Sequence, residues 1–330
     1  MKKKRRRLKK KYRRRLQLIL ILGIVGFVVV HQLNNRSTDT QQTTTMTVAQ
    51  KKIIKRTFTK TPYVQATVDT SNLDVNTATD ADYSVPIYET ASISSTVIGQ
   101  TYDGVWSDYH GTEGAFYKIK TPDNLVGYIE KEHGKMAIYK VQTTINSLDE
   151  LTVVLDPGHG GDDVGSLDNT ETIYEKTLTL ATAKTVKKTL EAAGINVIMT
   201  RTKDSEYTRL AKVAEITNNA NANLFISFHY DNYDYANQAE GYTTYYYYDH
   251  SEAFANTIHT QLAANNSLSD RGVQVANYMV LRNTFVPGIL LELGYLNNDN
   301  DLAIMNTANY RQMVADAILA GIENYYNLSK

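Results

Sequence analysis

The sequence predicts an α/β catalytic domain with a mostly parallel, twisted sheet flanked by helices. A small all-β barrel and one N-terminal transmembrane helix precede it. Three observations predict this order. A basic block runs directly into an apolar segment at the start of the chain. Short β-type runs broken by turn residues follow in residues 77–140. From residue 150 to residue 330, apolar strand-like runs alternate with helical patterns.

The basic block predicts a cytoplasmic tail over residues 1–15. Residues 2–15 hold twelve Lys or Arg and no acid, which leaves 23 bases against 35 acids in the remainder, a net charge of −12. The folded part therefore has no excess of basic charge for nucleic acid, and no nucleic-acid partner is expected. An RNA-binding tail is the alternative interpretation, but it would leave the adjacent apolar run without a use.

The apolar run, Leu16 to Val30 and extendable to Leu33, predicts a transmembrane signal anchor over residues 16–33. No small-x-small cleavage site follows it, which favours an anchor over a cleaved signal peptide. The run is short for a span of about 17–25 residues, but flanking Lys and Arg can snorkel to the interface. The positive-inside bias then predicts a single-pass membrane protein with a cytoplasmic N-terminus and an extracytoplasmic catalytic domain in the cell-wall space.

The chain contains no cysteine. Exported proteins of Gram-positive bacteria commonly lack disulfides, which agrees with this placement. Any metal must accordingly be held by histidines and carboxylates.

Two segments connect the anchor to the catalytic domain. Residues 34–76 are polar and Thr-rich, which is typical of an extended linker. Residues 77–140 resemble the bacterial SH3-like (SH3b) wall-binding domains, through Val97-Ile-Gly, Phe116-Tyr-Lys-Ile and Gly127-Tyr-Ile. This resemblance implies a wall-binding barrel. The expected opening strand is present only as Tyr83-Ser-Val-Pro-Ile-Tyr.

The third segment, residues 150–330, contains the strands and helices of the α/β domain. Strands are predicted at 151–156, 195–201, 224–229, 241–248 and 288–293, and helices at 176–193, 209–220, 252–264 and 310–326. Gly194 follows the first helix at the position of a C′ glycine.

Polar residues with metal-binding or catalytic chemistry follow three of these strands. They are His159, His229 and Glu292, and Glu175 precedes the helix that starts at the same sheet edge. Two imidazoles, one carboxylate and an open position form a common catalytic zinc set. Other interpretations are a turn-capping His159, a core His229, a Glu175 that complements the helix dipole, and a Glu292 in a buried salt bridge. The glycines around His159 suggest a phosphate loop only weakly, because no Gly-Lys-Ser/Thr follows.

The domain resembles the zinc-dependent N-acetylmuramoyl-L-alanine amidases of the amidase-3 family. The matching pieces are Val154-Leu-Asp-Pro-Gly-His-Gly-Gly-Asp, Glu175-Lys176, Thr200-Arg201 with Asp204, Ala222-Asn-Leu-Phe-Ile-Ser-Phe-His, Gly272-Val, Val280-Leu-Arg-Asn-Thr, Pro287-Gly-Ile-Leu-Leu-Glu-Leu-Gly-Tyr-Leu-Asn-Asn and Tyr310-Arg-Gln. The resemblance implies that His159, Glu175 and His229 bind Zn²⁺ and that Glu292 is catalytic. It further implies a peptidoglycan substrate, cut at the amide between N-acetylmuramic acid and L-alanine. Val213 stands where the family often has an Arg.

Two other functions compete with this one. An anchored wall-binding scaffold without catalysis would be expected to lack part of the four-residue set, which is complete here. A zinc peptidase would use the same chemistry on a stem-peptide bond.

The other conspicuous side chains are interpreted as surface or packing residues. They are the aromatic run 245–248, Trp106 and the histidines His31, His110, His133, His250 and His259.

Overall fold

The computed structural model describes residues 58–69, 83–142 and 144–328. The basic tail and the predicted anchor at 16–33 lie outside these residues. Among the described residues, none of the helices has the length and apolar character needed to cross a membrane. The described chain contains two compact units, one centred on residues 62–138 and the other on residues 139–330. The domain boundaries drawn from the sequence remain predictions.

The first unit is built on a seven-stranded sheet with the order β3-β2-β6-β5-β4-β1-β7. Its strands are β1 (Phe58–Ala66), β2 (Ser84–Tyr88), β3 (Val97–Tyr102), β4 (Trp106–Glu113), β5 (Phe116–Lys120), β6 (Val126–Glu130) and β7 (Gly134–Gln142). β1 lies inside the range 34–76 that the sequence assigns to a linker. It belongs to the sheet because Val64 and Ala66 are buried in the small core of this unit and the strand pairs antiparallel with β4. The SH3-like barrel stays a prediction.

The second unit is an α/β domain around a six-stranded sheet, as the sequence predicts. Its strands are β8 (Thr152–Pro157), β9 (Asn196–Met199), β10 (Leu224–Asp231), β11 (Tyr242–Tyr246), β12 (Asp270–Val275) and β13 (Gly288–Tyr295), in the order β12-β11-β13-β10-β8-β9. Its helices are α1 (Glu175–Ala192), α2 (Leu210–Asn219), α3 (Asp249–Asn265), α4 (Met279–Arg282), α5 (Asp299–Met305) and α6 (Ala308–Tyr325). β12, α4 and α5 were not predicted.

The sheet is mixed, so the prediction of a mostly parallel sheet is wrong. β9, β8, β10 and β13 run parallel to one another. β11 then pairs antiparallel with β13 and parallel with β12, which reverses the direction at that end of the sheet. Hydrophobic periodicity predicts which residues form strands but carries no information on strand direction, because a buried strand has the same pattern in both orientations.

Helix α1 ends where the sequence predicts, at a glycine. Gly194 has φ of 95° and its N–H bonds the carbonyl of Glu191, while the N–H of Ile195 bonds the carbonyl of Leu190. This is the Schellman arrangement, in which the left-handed residue is normally glycine because it lacks a Cβ. The turn directs the chain into β9 beside β8. Helix α6 packs against both α1 and α3, and the buried faces of all three helices belong to the core of this unit.

Candidate active site

The sheet brings two predicted residues together on neighbouring strands. β10 and β13 are parallel, and His229 is the direct cross-strand partner of Glu292. Directly paired residues of neighbouring strands point to the same face of a sheet. His229 and Glu292 therefore share one face, near the carboxyl ends of their strands.

His159 enters this region from the loop that follows β8. Its backbone is left-handed, with φ of 64°, which is uncommon for a residue with a Cβ. The loop passes so close to β10 that a Cβ added at Gly158 would lie 2.2 Å from the ring of His229. Glycine at position 158 thus allows the two imidazoles to approach, and their rings are 5.0 Å apart in an edge-on arrangement.

Glu175 is the first residue of α1 and joins both histidines. Its Oε1 lies 3.1 Å from Nε2 of His159 and 3.0 Å from Nδ1 of His229. The backbone N–H groups of Ser166 and Tyr230 donate to the two carboxylate oxygens, at 2.7 and 3.1 Å. Glu175 is therefore fixed by four interactions.

The charges of this group stabilise one another. Burial alone would raise the pKa of Glu175, but His159 and His229 hold it well below its ordinary value. Burial alone would lower the pKa of His159, whereas Glu175 and Asp163 raise it well above its ordinary value. Glu175 is thus a buried carboxylate that stays ionised, as a metal ligand must be.

Asp163 is a site residue that no motif in the sequence predicts. Its Oδ2 lies 3.0 Å from Nδ1 of His159, on the side of the ring opposite Glu175. A carboxylate in this position fixes the tautomer and orientation of a ligating histidine. The only signal in the sequence is an acid four residues after a histidine in a glycine-rich turn, and many turns share that pattern.

Glu292 differs from Glu175 in its surroundings. Its Oε2 is buried and has no hydrogen-bond partner among the described residues. Burial raises its pKa well above the ordinary range, and the charges of Asp231 and Glu175 add to this, while His159 opposes it. Burying a carboxylate oxygen without a hydrogen-bond partner lowers the stability of the fold by roughly several kcal/mol. Such groups therefore usually bind a ligand or take part in a reaction.

The residues present fit a zinc ion. His159, Glu175 and His229 each offer one donor atom, and these three atoms lie within 4.8 Å of one another. The two donor spacings, 3.1 Å from Nε2 of His159 and 3.0 Å from Nδ1 of His229 to Oε1 of Glu175, approach the roughly 3.3 Å between donors in a tetrahedral zinc site with N and O ligands. Two imidazoles and one carboxylate form a common catalytic zinc set.

The other residues considered from the sequence lie outside this group. Trp106 is buried in the first unit, and Tyr248 is buried and donates to the carbonyl of Arg282. His259 is buried, with its two ring nitrogens 3.0 Å from Thr244 Oγ1 and 2.8 Å from Asp270 Oδ1. His31 lies outside the described residues. In the first unit, one donor atom from each of Glu130, Glu132 and His133 also lies within 4.8 Å of the other two, so these residues form a separate group that could hold a metal ion.

An α/β sheet that carries a His-Glu-His group beside a carboxylate with one buried, unpartnered oxygen has the donor set and the acid–base group of a metal-dependent hydrolase. The comparison with known families makes this class specific. The sequence profile of Amidase_3, described as N-acetylmuramoyl-L-alanine amidase, matches residues 153–324. The chain belongs to the Amidase_3 family, and its enzymatic class is N-acetylmuramoyl-L-alanine amidase.

Individual relatives support this assignment. The chain is 37% identical over 220 residues to the probable cell wall amidase LytH of Staphylococcus aureus, covering 66% of this chain and 73% of LytH. It is 34% identical to the catalytic domain of CwlV, an N-acetylmuramoyl-L-alanine amidase from Bacillus (Paenibacillus) polymyxa var. colistinus, with a TM-score of 0.52 over 54% of this chain and 99% of that one. An N-acetylmuramoyl-L-alanine amidase from Clostridium difficile 630 is 32% identical, with a TM-score of 0.52 over 56% of this chain and 100% of that one.

Proposed function

We propose that this amidase is a zinc-dependent, membrane-anchored peptidoglycan hydrolase. His159, Glu175 and His229 would hold the metal, and Glu292 would move the protons. The amide cut is the one between N-acetylmuramic acid and the L-alanine of the stem peptide. The observation that carries this proposal is the buried Oε2 of Glu292, which has no partner among the described residues beside a complete set of three donors.

The chain's own groups account for the proton transfers. When bound, Zn²⁺ would lower the pKa of water and polarise a carbonyl oxygen. Glu292 accepts a proton from the water whose oxygen attacks the amide carbonyl, and it later donates that proton to the leaving nitrogen. The C–N bond breaks, giving a lactyl carboxylate on the sugar and a free L-alanine amine. A carboxyl group with a raised pKa is suited to both the acceptance and the return of a proton.

Replacing Glu292 with glutamine tests this assignment. Glutamine keeps the size and shape of the side chain but cannot accept a proton, so we expect Glu292→Gln to lower kcat by about 10²–10⁴-fold. Zinc content measured by elemental analysis should stay at the wild-type level, because Glu292 is not a ligand. Mass spectrometry of digested wall should identify the wild-type product as peptide with a free L-alanine amine beside an intact glycan strand.

The matched control is Glu191→Gln, at an exposed glutamate of α1 that pairs with Lys187. This variant should keep wild-type turnover. A Glu292→Gln enzyme with near wild-type kcat would refute the proton-transfer role. Release of a fragment that starts within the stem peptide would indicate a peptidase instead.

The placement at the membrane is part of the same proposal. The basic residues 1–15 and the apolar run 16–33 support a single-pass anchor with the catalytic unit on the wall side. The relative LytH is described as a probable cell wall amidase, which supports a position of the catalytic unit on the wall side of the membrane. The resemblance of residues 77–140 to wall-binding modules supports a wall-binding role for that segment. Membrane fractionation of the full chain against a chain lacking residues 1–33 tests the anchor.

A further inference from the structure

Exposed aromatic side chains of the catalytic unit lie in the loops that surround the site. Among the described residues of this unit, five large hydrophobic side chains are exposed: Tyr174, Tyr207, Tyr233, Tyr235 and Val275. Tyr174 directly precedes Glu175, and Tyr207 lies beside Gly161 in the loop of His159, where a Cβ added at Gly161 would be 3.2 Å from the Cβ of Tyr207. Tyr233 and Tyr235 follow the strand of His229. Single exposed aromatics are ordinary, but four gathered in the loops of one site indicate a binding surface.

Tyr233 and Tyr235 form the most exposed pair. The two residues are 47% and 63% exposed, and their ring centroids are 6.3 Å apart. They belong to the segment 232–239, which begins three residues after His229 and which we name the tyrosine loop. Neither ring is used in the core or in the catalytic group.

Buried Asn297 holds the first of these tyrosines in place. Its Oδ1 accepts from the N–H of Tyr233 at 3.1 Å, and its Nδ2 donates to the carbonyl of Tyr233 at 2.8 Å. Asn297 follows β13, the strand of Glu292, and belongs to the Leu-Asn-Asn sequence that the catalytic chemistry does not use. A buried amide that bonds both sides of one residue fixes the backbone direction there.

The far end of the tyrosine loop is held in the same way. The backbone N–H of Asn237 bonds the carbonyl of Asn297, and its side chain exchanges two hydrogen bonds with Asp299. Asn298, also buried, donates to the carbonyl of Ala239 at 3.0 Å. The loop is therefore tied to the chain after β13 on both sides of Tyr235. A surface loop held this firmly presents its exposed rings with little entropy left to lose on binding.

We propose that the tyrosine loop is a stacking subsite for the sugar rings of the glycan strand. The inference rests on the proposed function, because the scissile amide is attached to a sugar and the neighbouring sugars must lie on the protein surface beside the site. The C–H face of a pyranose is apolar and packs on an aromatic ring, while the Tyr hydroxyl can meet the sugar hydroxyls. Asn297 is a positioning residue for this subsite.

The test compares two substrates with the purified full chain. One substrate is a soluble, uncross-linked peptidoglycan strand of several disaccharides, and the other is an N-acetylmuramoyl-peptide with a single sugar. The double variant Tyr233→Ala/Tyr235→Ala should raise KM on the strand by about tenfold without changing kcat, because two stacking contacts are lost. Both constants on the single-sugar substrate should stay at the wild-type level.

Three further variants make the result specific. Tyr233→Phe/Tyr235→Phe keeps both rings and should retain most of the strand affinity. Asn297→Ala should reproduce the rise in KM on the strand, and Val275→Ala removes an exposed hydrophobic side chain elsewhere and should change nothing. An unchanged KM on the strand, or an equal rise on both substrates, would overturn the subsite. Calorimetry with glycan strands stripped of peptide tests the sugar subsite independently of the amidase activity. Binding that is lost when the two tyrosines are replaced supports the subsite even if the enzyme cuts no amide.

Discussion

Arg201 shows how a residue outside the catalytic group can determine its geometry. The side chain is buried at 2% exposure, and its guanidinium donates to the carbonyls of Pro157 and Gly158 at 2.9 and 3.0 Å and of Lys176 at 2.7 Å. The first two carbonyls lead into His159, and the third lies next to Glu175. One fixed cation thus ties the loop of the first proposed ligand to the helix of the second.

We expect Arg201→Met to weaken both the fold and the proposed metal site. Removing the guanidinium leaves several buried carbonyls without a donor, so the free energy of unfolding should fall by about 3 kcal/mol. Zinc affinity should fall by about 10–100-fold, as for other residues that orient ligands. Urea unfolding and competition with a zinc chelator measure the two effects.

Lys184→Met, at an exposed cation of α1, is the control for loss of positive charge and should change stability by less than about 0.5 kcal/mol. Arg201→Lys should recover only part of the loss, since an ammonium cannot reproduce the planar fork of donors. Wild-type zinc affinity in Arg201→Met would show that the loop and helix hold their positions without this residue.

At the scale of single residues, the sequence predicts the histidines and Glu292 better than their partners. His229 and Glu292 follow apolar strands, and the carboxyl ends of parallel strands meet at one edge, so their proximity can be inferred from the pattern. The contact between Asp163 and His159 depends on a left-handed turn. The carbonyls that Arg201 bonds lie 25, 43 and 44 residues away in the sequence. Neither has a periodic signal in the sequence.

Among the elements, the segment between the loop of His159 and α1 is organised by one carboxylate. Oδ1 of Asp168 accepts from the N–H groups of Thr172 and Ile173 at 2.7 and 2.8 Å, and Oδ2 accepts from the N–H of Thr170 at 3.2 Å. The hydroxyl of Thr170 also donates to Asp168. Burial alone would raise the pKa of Asp168, but the hydrogen bonds outweigh burial and lower the pKa below its ordinary value. The turn leads directly to Glu175.

The lowered pKa of Asp168 predicts a pH dependence of stability with a definite sign. The folded chain binds the proton less tightly than the unfolded chain, so the stabilisation is fully present above the unfolded pKa of about 3.9 and is lost as pH falls through the lower folded value. Asp168→Asn should cost about 1–3 kcal/mol near neutral pH and make the acid-side loss of stability shallower. Urea unfolding between about pH 3 and 7 measures both effects.

The comparison for Asp168 is an exposed acid without such bonds. Asp162→Asn, in the loop before it, should leave the acid-side slope unchanged, since its carboxylate is exposed. If the free energy of unfolding falls with pH equally in wild-type and Asp168→Asn, the turn does not depend on the ionised carboxylate.

At the scale of elements, the sequence does not predict the direction of strand β11 in the sheet or the presence of the short helices α4 and α5. α1, α3 and α6 are predicted within a few residues because their apolar positions recur at helical spacing over many turns. β11 is predicted as a strand, but its antiparallel pairing with β13 depends on the route of α3 and β12 in space. α4 has four residues and α5 has seven, too few to show a helical period.

On the scale of the whole molecule, charge is divided sharply along the chain. The tail carries twelve positive charges in residues 2–15 and the remainder a net −12. An anionic remainder is repelled by the anionic surface of a membrane, so electrostatic attraction would not keep the catalytic unit there. The proposed localisation therefore depends on residues 1–33, and specifically on whether the apolar run or the basic block provides the attachment.

Membrane fractionation of three chains separates these two contributions. The full chain should sediment with membranes and stay bound to them in about 1 M salt, because salt screens charges but does not weaken the insertion of an apolar helix. A chain of residues 34–330 should be soluble and should keep its kcat on a single-sugar substrate, since the four site residues are retained. Ile24→Lys/Val28→Lys keeps the basic block but adds about 2.5–3.5 kcal/mol per lysine to insertion, so its membrane fraction should be released by salt. Salt release of the wild-type chain would instead show that the basic block alone attaches it, and the apolar run would then need another explanation.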